Sequence, residues 1–265
     1  MRRSLTLLAV CLGLLIQGLP AGADNAPEGP AHLALGDSQA FGVGTPRPDR
    51  LGYVAVLNRW LTAVDCRDGN QSACPHLELE DLTVPGATTT SLITDQLPAA
   101  IQLIAQRNND LRADNDVIYV TITIGGNDIF NAFQAKCLSG VTDECVLAIT
   151  DAFETAGANL AQILGTLRVV AGPDTRIVIS TYDNPLGACV LAPFETFGDL
   201  VLEGGPGFSI GFNDLIRLIA AATGAEVADM YGLLTVDDWV GGQDCLHPDI
   251  SGYHKMAGVL LDVLD

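Results

Sequence analysis

Residues 117–128 read VIYVTITIGGND. The first eight are β-branched or aromatic throughout, the residue types that fit the pleated, packed surface of a strand. A strand with one wet face carries charged or strongly polar residues at every second position. This run carries none, so it is expected at the centre of a parallel sheet covered on both faces. Outward from it, short strands alternate with longer helices. Residues 32–35, 77–83, 176–182 and 225–230 read as further strands, and residues 52–64, 88–106, 145–170, 212–223 and 250–264 as helices. That alternation implies one parallel sheet with helices on both sides. In such folds the reactive residues lie beyond the carboxyl ends of the strands.

The chain has 265 residues, of which 48% are hydrophobic and 17% charged, so a large core can form and global disorder is excluded. Lys+Arg number 13 against 32 Asp+Glu, a net charge of −19. The clustered cations that meet nucleic-acid phosphates are lacking, so no nucleic-acid partner is expected. Docking on anionic lipid is disfavoured for the same reason. Met1-Arg2-Arg3, the apolar run at 5–19 and Ala21-Gly22-Ala23 have the three parts of a secretory signal peptide, expected over 1–23. Loss of Arg2 and Arg3 leaves 11 basic against 32 acidic residues, a net of −21. A single domain is expected over 24–265. No later stretch reaches ~18 apolar residues, so no integral membrane association is expected, and the location is extracellular or periplasmic.

Cysteine usage agrees with export. Of seven cysteines, Cys11 falls in the leader, and six remain. Six permit fifteen connectivities. The spacing favours Cys66–Cys74 and Cys137–Cys145 as local pairs and Cys189–Cys245 as the long-range one. No C-x₂₋₄-C spacing occurs, so a zinc site is not expected. Asn70-Gln71-Ser72 forms a glycosylation sequon inside the first small loop.

Four polar or glycine-rich patches follow the strands or precede the last helix, and their residue types complement one another. A serine hydroxyl needs a base to act as a nucleophile; Ser38 is the candidate nucleophile and His247 the candidate base. Asp244 is placed to hold the imidazole in the right tautomer. An oxyanion needs preplaced donors, for which the N–H groups of Ser38 and Gly86 and the side-chain amide of Asn127 are the candidates. With these patches the chain resembles the SGNH/GDSL hydrolase family from about residue 33 to 260. ALGDSQAFGVG (34–44), DLTVPGATT (81–89), VTITIGGND (120–128) and DCLHP (244–248) look like its four blocks, in order. The resemblance implies a three-layer α/β/α sandwich of flavodoxin-like type, with a central parallel sheet of about five strands. It also implies ester or thioester hydrolysis without a metal or other cofactor. Gln39 stands where the longer form of the first block has Leu, a position without chemistry.

Gly207-Phe208-Ser209-Ile210-Gly211 fits the nucleophile elbow G-x-S-x-G, but a loop precedes it where an elbow requires a strand. Ser209 is therefore expected to cap or precede the next helix. His32, His76 and His254 are read as packed or solvated. Two connections are long, 129–145 and 183–208, and both are rich in Phe, Leu and Ile or Val. Their apolar residues either wall the site or pack a satellite core. Apolar walls favour an acyl chain or lipid ester over an acetylated polysaccharide. The expected activity is that of a secreted serine esterase or lipase. A carbohydrate deacetylase, an acyltransferase and a non-catalytic binding protein are the alternatives.

Overall fold

The computed structural model describes residues 29–65 and 76–265. The expected signal peptide, the Cys66–Cys74 pair and the Asn70 sequon lie outside the described residues. Five strands, β1 (Ala31–Gly36), β2 (Glu78–Asp81), β3 (Val117–Thr123), β4 (Arg176–Ser180) and β5 (Glu226–Ala228), form one all-parallel sheet in the order β2-β1-β3-β4-β5. The central position of β3 is the one its composition requires. Helical segments among the described residues are α1 (Ser38–Phe41), α2 (Pro48–Leu51), α3 (Tyr53–Asp65), α4 (Thr89–Ser91), α5 (Leu97–Asn108), α6 (Gly126–Lys136), α7 (Asp143–Ala171), α8 (Glu195–Glu203), α9 (Phe212–Thr223) and α10 (Ile250–Leu264).

Alternate side chains of a strand point to opposite faces, and the two cores divide accordingly. Leu33 and Leu35 of β1, Val120 and Ile122 of β3, and Ile177 and Ile179 of β4 pack against α5, α7 and α9. Ala34, Val178 and Ala228 face α3 and α10 on the other side. On that second face β3 presents Thr121 and Thr123, both fully buried, where the sequence suggested apolar contact. Their hydroxyls have partners. Thr121 donates to His32 Nε2 at 2.8 Å, and Thr123 Oγ1 lies 2.6 Å from the Tyr53 hydroxyl and 2.7 Å from Ser180 Oγ. His32 donates in turn from Nδ1 to Asn58 Oδ1 at 3.3 Å. Burial pushes this imidazole down to about 4, against a smaller upward effect of Asn58, so it is neutral and structural at pH 7.

The helix expected over 88–106 is interrupted. Residues Leu92–Gln96 form a π-helical turn, and α5 begins beyond it with Pro98 in its first turn. Proline lacks the N–H that would continue a regular ladder, and wide turns of this kind recur at functional sites. Here the turn aims the buried Gln96 at the end of β1. Its side chain accepts from Gly36 N and donates to Gly36 O, both at 2.9 Å. Gly36 itself has φ +141°, and a Cβ there would lie 2.2 Å from Thr123 O, so only glycine fits. The connection 129–145 carries most of α6, and 183–208 contains α8. The Gly-Gly before α6 and the Pro and Gly residues around α8 disguise both as loop. Helix α6 packs on α7, and α8 on α9.

Candidate active site

The chain leaves β1 for a neighbour on one side, β2, and returns to β3 on the other. The crevice between β1 and β3 is thus the switch point of the sheet, where such folds place their ligands. Asp37 and Ser38 lie on one side of it and Gly125 to Asp128 on the other. Asp37 is the N-cap of α1: its Oδ1 accepts from Gln39 N at 2.9 Å. Ser38 therefore occupies the first position of a helix, where the backbone N–H has no partner within the helix.

The structure brings Ser38, His247 and Asp244 into one hydrogen-bonded line. Asp244 precedes its histidine by three residues and accepts from its Nδ1 at 2.8 Å through Oδ2. Its Oδ1 also accepts from the N–H groups of Leu246 and His247, each at 3.0 Å. Partial burial pushes the Asp244 carboxyl up, and those two N–H groups with the imidazole outweigh it, leaving it below the usual carboxylate range. A carboxylate on Nδ1 assigns the proton to that nitrogen. Nε2 is then free to accept from the Ser38 hydroxyl, 2.8 Å away.

The candidate oxyanion donors are set by local turn chemistry. Val84-Pro85-Gly86-Ala87 closes with Ala87 N donating to Val84 O at 3.0 Å, and Gly86 has φ +81°. Pro at the second and a left-handed Gly at the third position are the signature of a type II turn. The turn leaves Gly86 exposed with its N–H free of any partner among the described residues. Asn127 lies in the first turn of α6 and donates one amide proton to Ala87 O at 2.9 Å. Its second amide proton remains for a ligand. Asp128 next to it accepts from Thr89 N at 2.9 Å and from Thr89 Oγ1 at 2.7 Å, so the second and third blocks are stitched together twice. Asn127→Ala is expected to lower kcat by ~10²–10³ and stability by only about 1–3 kcal/mol, because Ala87 O loses its donor. Steady-state kinetics beside a thermal melt checks this, and a loss confined to KM contradicts it.

Three contributors had no signal in their own residue type. Gln39, read as a position without chemistry, donates from Nε2 to Leu246 O at 2.8 Å and so ties the serine helix to the histidine loop across 207 positions. Tyr182, just past β4, donates its hydroxyl to Asp37 Oδ2 at 2.9 Å. Burial pushes Asp37 up to about 7, against the lowering effect of Gln39, Tyr182 and Ala40. The motif Gly-Asp-Ser marks Asp37, but nothing in the chain marks its tyrosine partner. The third is the strand-like bridge between Cys189 and Gly242, with Val190 N donating to Gly242 O at 3.0 Å.

Cys189 and Cys245 form a disulfide, as do Cys137 and Cys145. Cys245 stands between Asp244 and His247, so the first bond fastens the histidine loop to the connection after β4, where Leu186, Leu191 and Phe194 pack around it. The bridged positions are 56 residues apart, a loop for which chain entropy contributes up to ~4 kcal/mol. Cys189 and Cys245 belong to neither main core, though Leu191 and Phe194 pack on both the disulfide cluster and the larger core. Reduction is therefore expected to cut activity at lower reductant concentrations than it cuts far-ultraviolet circular dichroism. Coincident loss of both signals across a reductant titration contradicts the expectation.

Ser209 is exposed in the loop before α9, whose N-cap is Gly211. It precedes the helix and ends no strand. His76 is exposed, and His254 lies on the exposed side of α10 with its ring 6.0 Å from that of Trp60. Beside Ser38 a cavity runs between α6 and α8, lined by Phe130, Phe133, Phe197 and Val201 among others. A second, open cleft lies beside His247.

The chain matches the GDSL-like lipase/acylhydrolase family over residues 34–255. Among solved structures it is similar to the lipase Lip_vut3 from a goat rumen metagenome, at 19% identity and TM-score 0.62, covering 88% of this chain and 97% of that one. It is also similar to an acetylxylan esterase from Geobacillus stearothermophilus, at 17% identity and TM-score 0.56, covering 90% and 96%. A GDSL-like lipase from Parabacteroides merdae aligns at 17% identity and TM-score 0.53, covering 90% and 97%. At these identities the likeness is one of fold. No curated protein matches the chain.

Proposed function

The chain belongs to the GDSL-like lipase/acylhydrolase family, and from that premise we propose that it is a secreted serine esterase whose Ser38, His247 and Asp244 hydrolyse carboxylic esters through an acyl-enzyme. The observation that carries the reading is the unbroken line from Asp244 through His247 Nδ1 and Nε2 to Ser38 Oγ. In the forward step Ser38 Oγ attacks the ester carbonyl carbon and passes its proton to His247 Nε2. The negative oxygen that forms is met by the N–H groups of Ser38 and Gly86 and by the Asn127 amide. Collapse breaks the bond to the alcohol oxygen, which takes the proton from His247. Water then enters, gives a proton to His247, and releases the carboxylic acid by the reverse of the same steps. Asp244 stays ionised throughout and stabilises the imidazolium.

The apolar lining beside Ser38 supports an acyl chain or lipid ester as the substrate. The two disulfides support an oxidising compartment, in keeping with a signal peptide over 1–23 and a single domain over 24–265. Among the described residues no helix is long and apolar enough to cross a membrane.

Hydrolysis of p-nitrophenyl esters from acetate to palmitate, run beside Ser38→Ala, tests the reading. Activity lost in Ser38→Ala with an optimum at eight or more carbons is the expected result. An optimum at acetate would favour a deacetylase. Release of p-nitrophenol that survives Ser38→Ala rejects the mechanism.

A further inference from the structure

Two depressions adjoin the catalytic line, one at Ser38 and one at His247, and they differ in kind. The first is recessed: Phe133, Ile149, Phe197, Val201 and Phe212 of its lining are all buried, and it reaches Ser38 and Asn127. Its walls belong to a connected chain of ring contacts that runs through Phe130, Phe133, Phe197, Phe208, Phe153, Phe212 and Tyr182, with Phe194 packed edge-on against Phe133. Seven of the eight phenylalanines in the chain take part. The second depression is the more open one. Leu138 and Val190, which border it, are 49% and 56% exposed, and Gln134 and Gln243 add amide groups to its rim. Phe130 and Leu246 border both. His247 borders only the open cleft, and Asn127 only the recessed pocket.

The chemistry of the acyl transfer assigns these spaces. The carbonyl oxygen must face Asn127 and the alcohol oxygen must face His247, because the imidazolium protonates it. The third substituent on the carbonyl carbon, the acyl chain, is then directed away from His247. We infer that the recessed aromatic pocket holds the acyl chain and the open cleft holds the alcohol. The substrate so defined is a linear acyl chain, longer than acetyl, on a bulky alcohol without an anionic group. Among the described residues neither depression is bordered by Lys or Arg, so neither offers a cation to a phosphate or carboxylate on the alcohol. Val201 and Leu202 of α8 set the acyl length accepted, and Val190 sets the alcohol. This assignment rests on the serine-esterase reading above and adds the orientation and class of the substrate.

The test compares ratios of kcat/KM, so general losses of activity cancel. Each methylene buried is worth roughly fourfold. Wild-type protein is expected to favour p-nitrophenyl octanoate over the acetate by more than about tenfold. Val201→Phe and Leu202→Phe, which fill the pocket, are each expected to cut that ratio by about tenfold or more. Val190→Trp, at an exposed position, is expected to leave the ratio within about twofold. It should change the preference between monooctanoylglycerol and ethyl octanoate by about fivefold or more. An octanoate-to-acetate ratio at or below one in the wild type overturns the assignment without any variant. So does an unchanged ratio in a Val201→Phe or Leu202→Phe protein that melts like the wild type. An effect of Val190→Trp on acyl length as large as that of Val201→Phe reverses the two subsites. Each of these results leaves Ser38-dependent hydrolysis standing, whereas ester hydrolysis by Ser38→Ala removes the underlying reading itself.

Discussion

Ser38→Ala and His247→Ala are each expected to lower kcat by on the order of 10⁶, and the double variant by no more than either alone. On the proposed mechanism the two side chains perform one act. Without Nε2 as proton acceptor, the Ser38 hydroxyl is a weak nucleophile; without the hydroxyl, the imidazole has nothing to activate. Their 2.8 Å hydrogen bond is the physical form of that dependence. Asp244→Asn is expected to be milder, near 10⁴, because an amide in place of the carboxylate favours the wrong imidazole tautomer yet leaves both reacting groups present. The residual rate in all these variants comes from the oxyanion donors and from binding. Single-turnover measurements on the four variants decide the matter. A double variant slower than either single one by tenfold or more shows two independent contributions, and the coupled reading fails.

The second large effect concerns stability. Asp37 titrates near 7 in the fold, above its ordinary 3.8. Between these values the folded chain holds a proton that the unfolded chain has lost, so Asp37 favours folding progressively more as the pH falls from about 7 toward 4. His32 does the reverse. Its folded value near 4 lies below the ordinary 6.5, the unfolded chain holds the extra proton, and stability is lost as the pH falls through that window. Each effect is on the order of 3–4 kcal/mol over its full range, and in the wild type they oppose one another. Asp37→Asn keeps a good N-cap for α1 and removes one side of the balance. Relative to wild type it is expected to lose about 3 kcal/mol between pH 8 and pH 4.5 in urea unfolding. His32→Asn is expected to shift the other way. A wild-type-to-variant difference that does not change with pH for Asp37→Asn shows that Asp37 is ionised in the fold.

Much of this protein was legible along the chain. The β-branched run at 117–124 placed the central strand, because a strand buried on both faces can carry no charge. Pro85-Gly86 announced its turn through two dihedral preferences that belong to those residues alone. Asp37 before Ser38, and Asp244 three residues before His247, are pairs close enough for a side chain to reach its neighbour's backbone or ring. The four candidate blocks could be ordered for the same reason, each being complete within a dozen residues. Helix α6 escaped notice because its opening Gly-Gly has the composition of a turn.

The sequence by itself determined the parallel sheet, the identity of the nucleophile, base and oxyanion candidates, and the favoured pairing of the later cysteines. These follow from period, turn chemistry and spacing, which act over a few residues. Only the tertiary structure decided that Gln39 clasps Leu246, that Gln96 seals the end of β1, and that His32 is held neutral beneath Thr121. It alone showed that phenylalanines of α6, α8 and α9 line one recessed pocket that reaches Ser38 and Asn127. Such contacts join positions from 60 to more than 200 residues apart. Their existence depends on strand register and helix packing, which no local preference of the participating residues encodes.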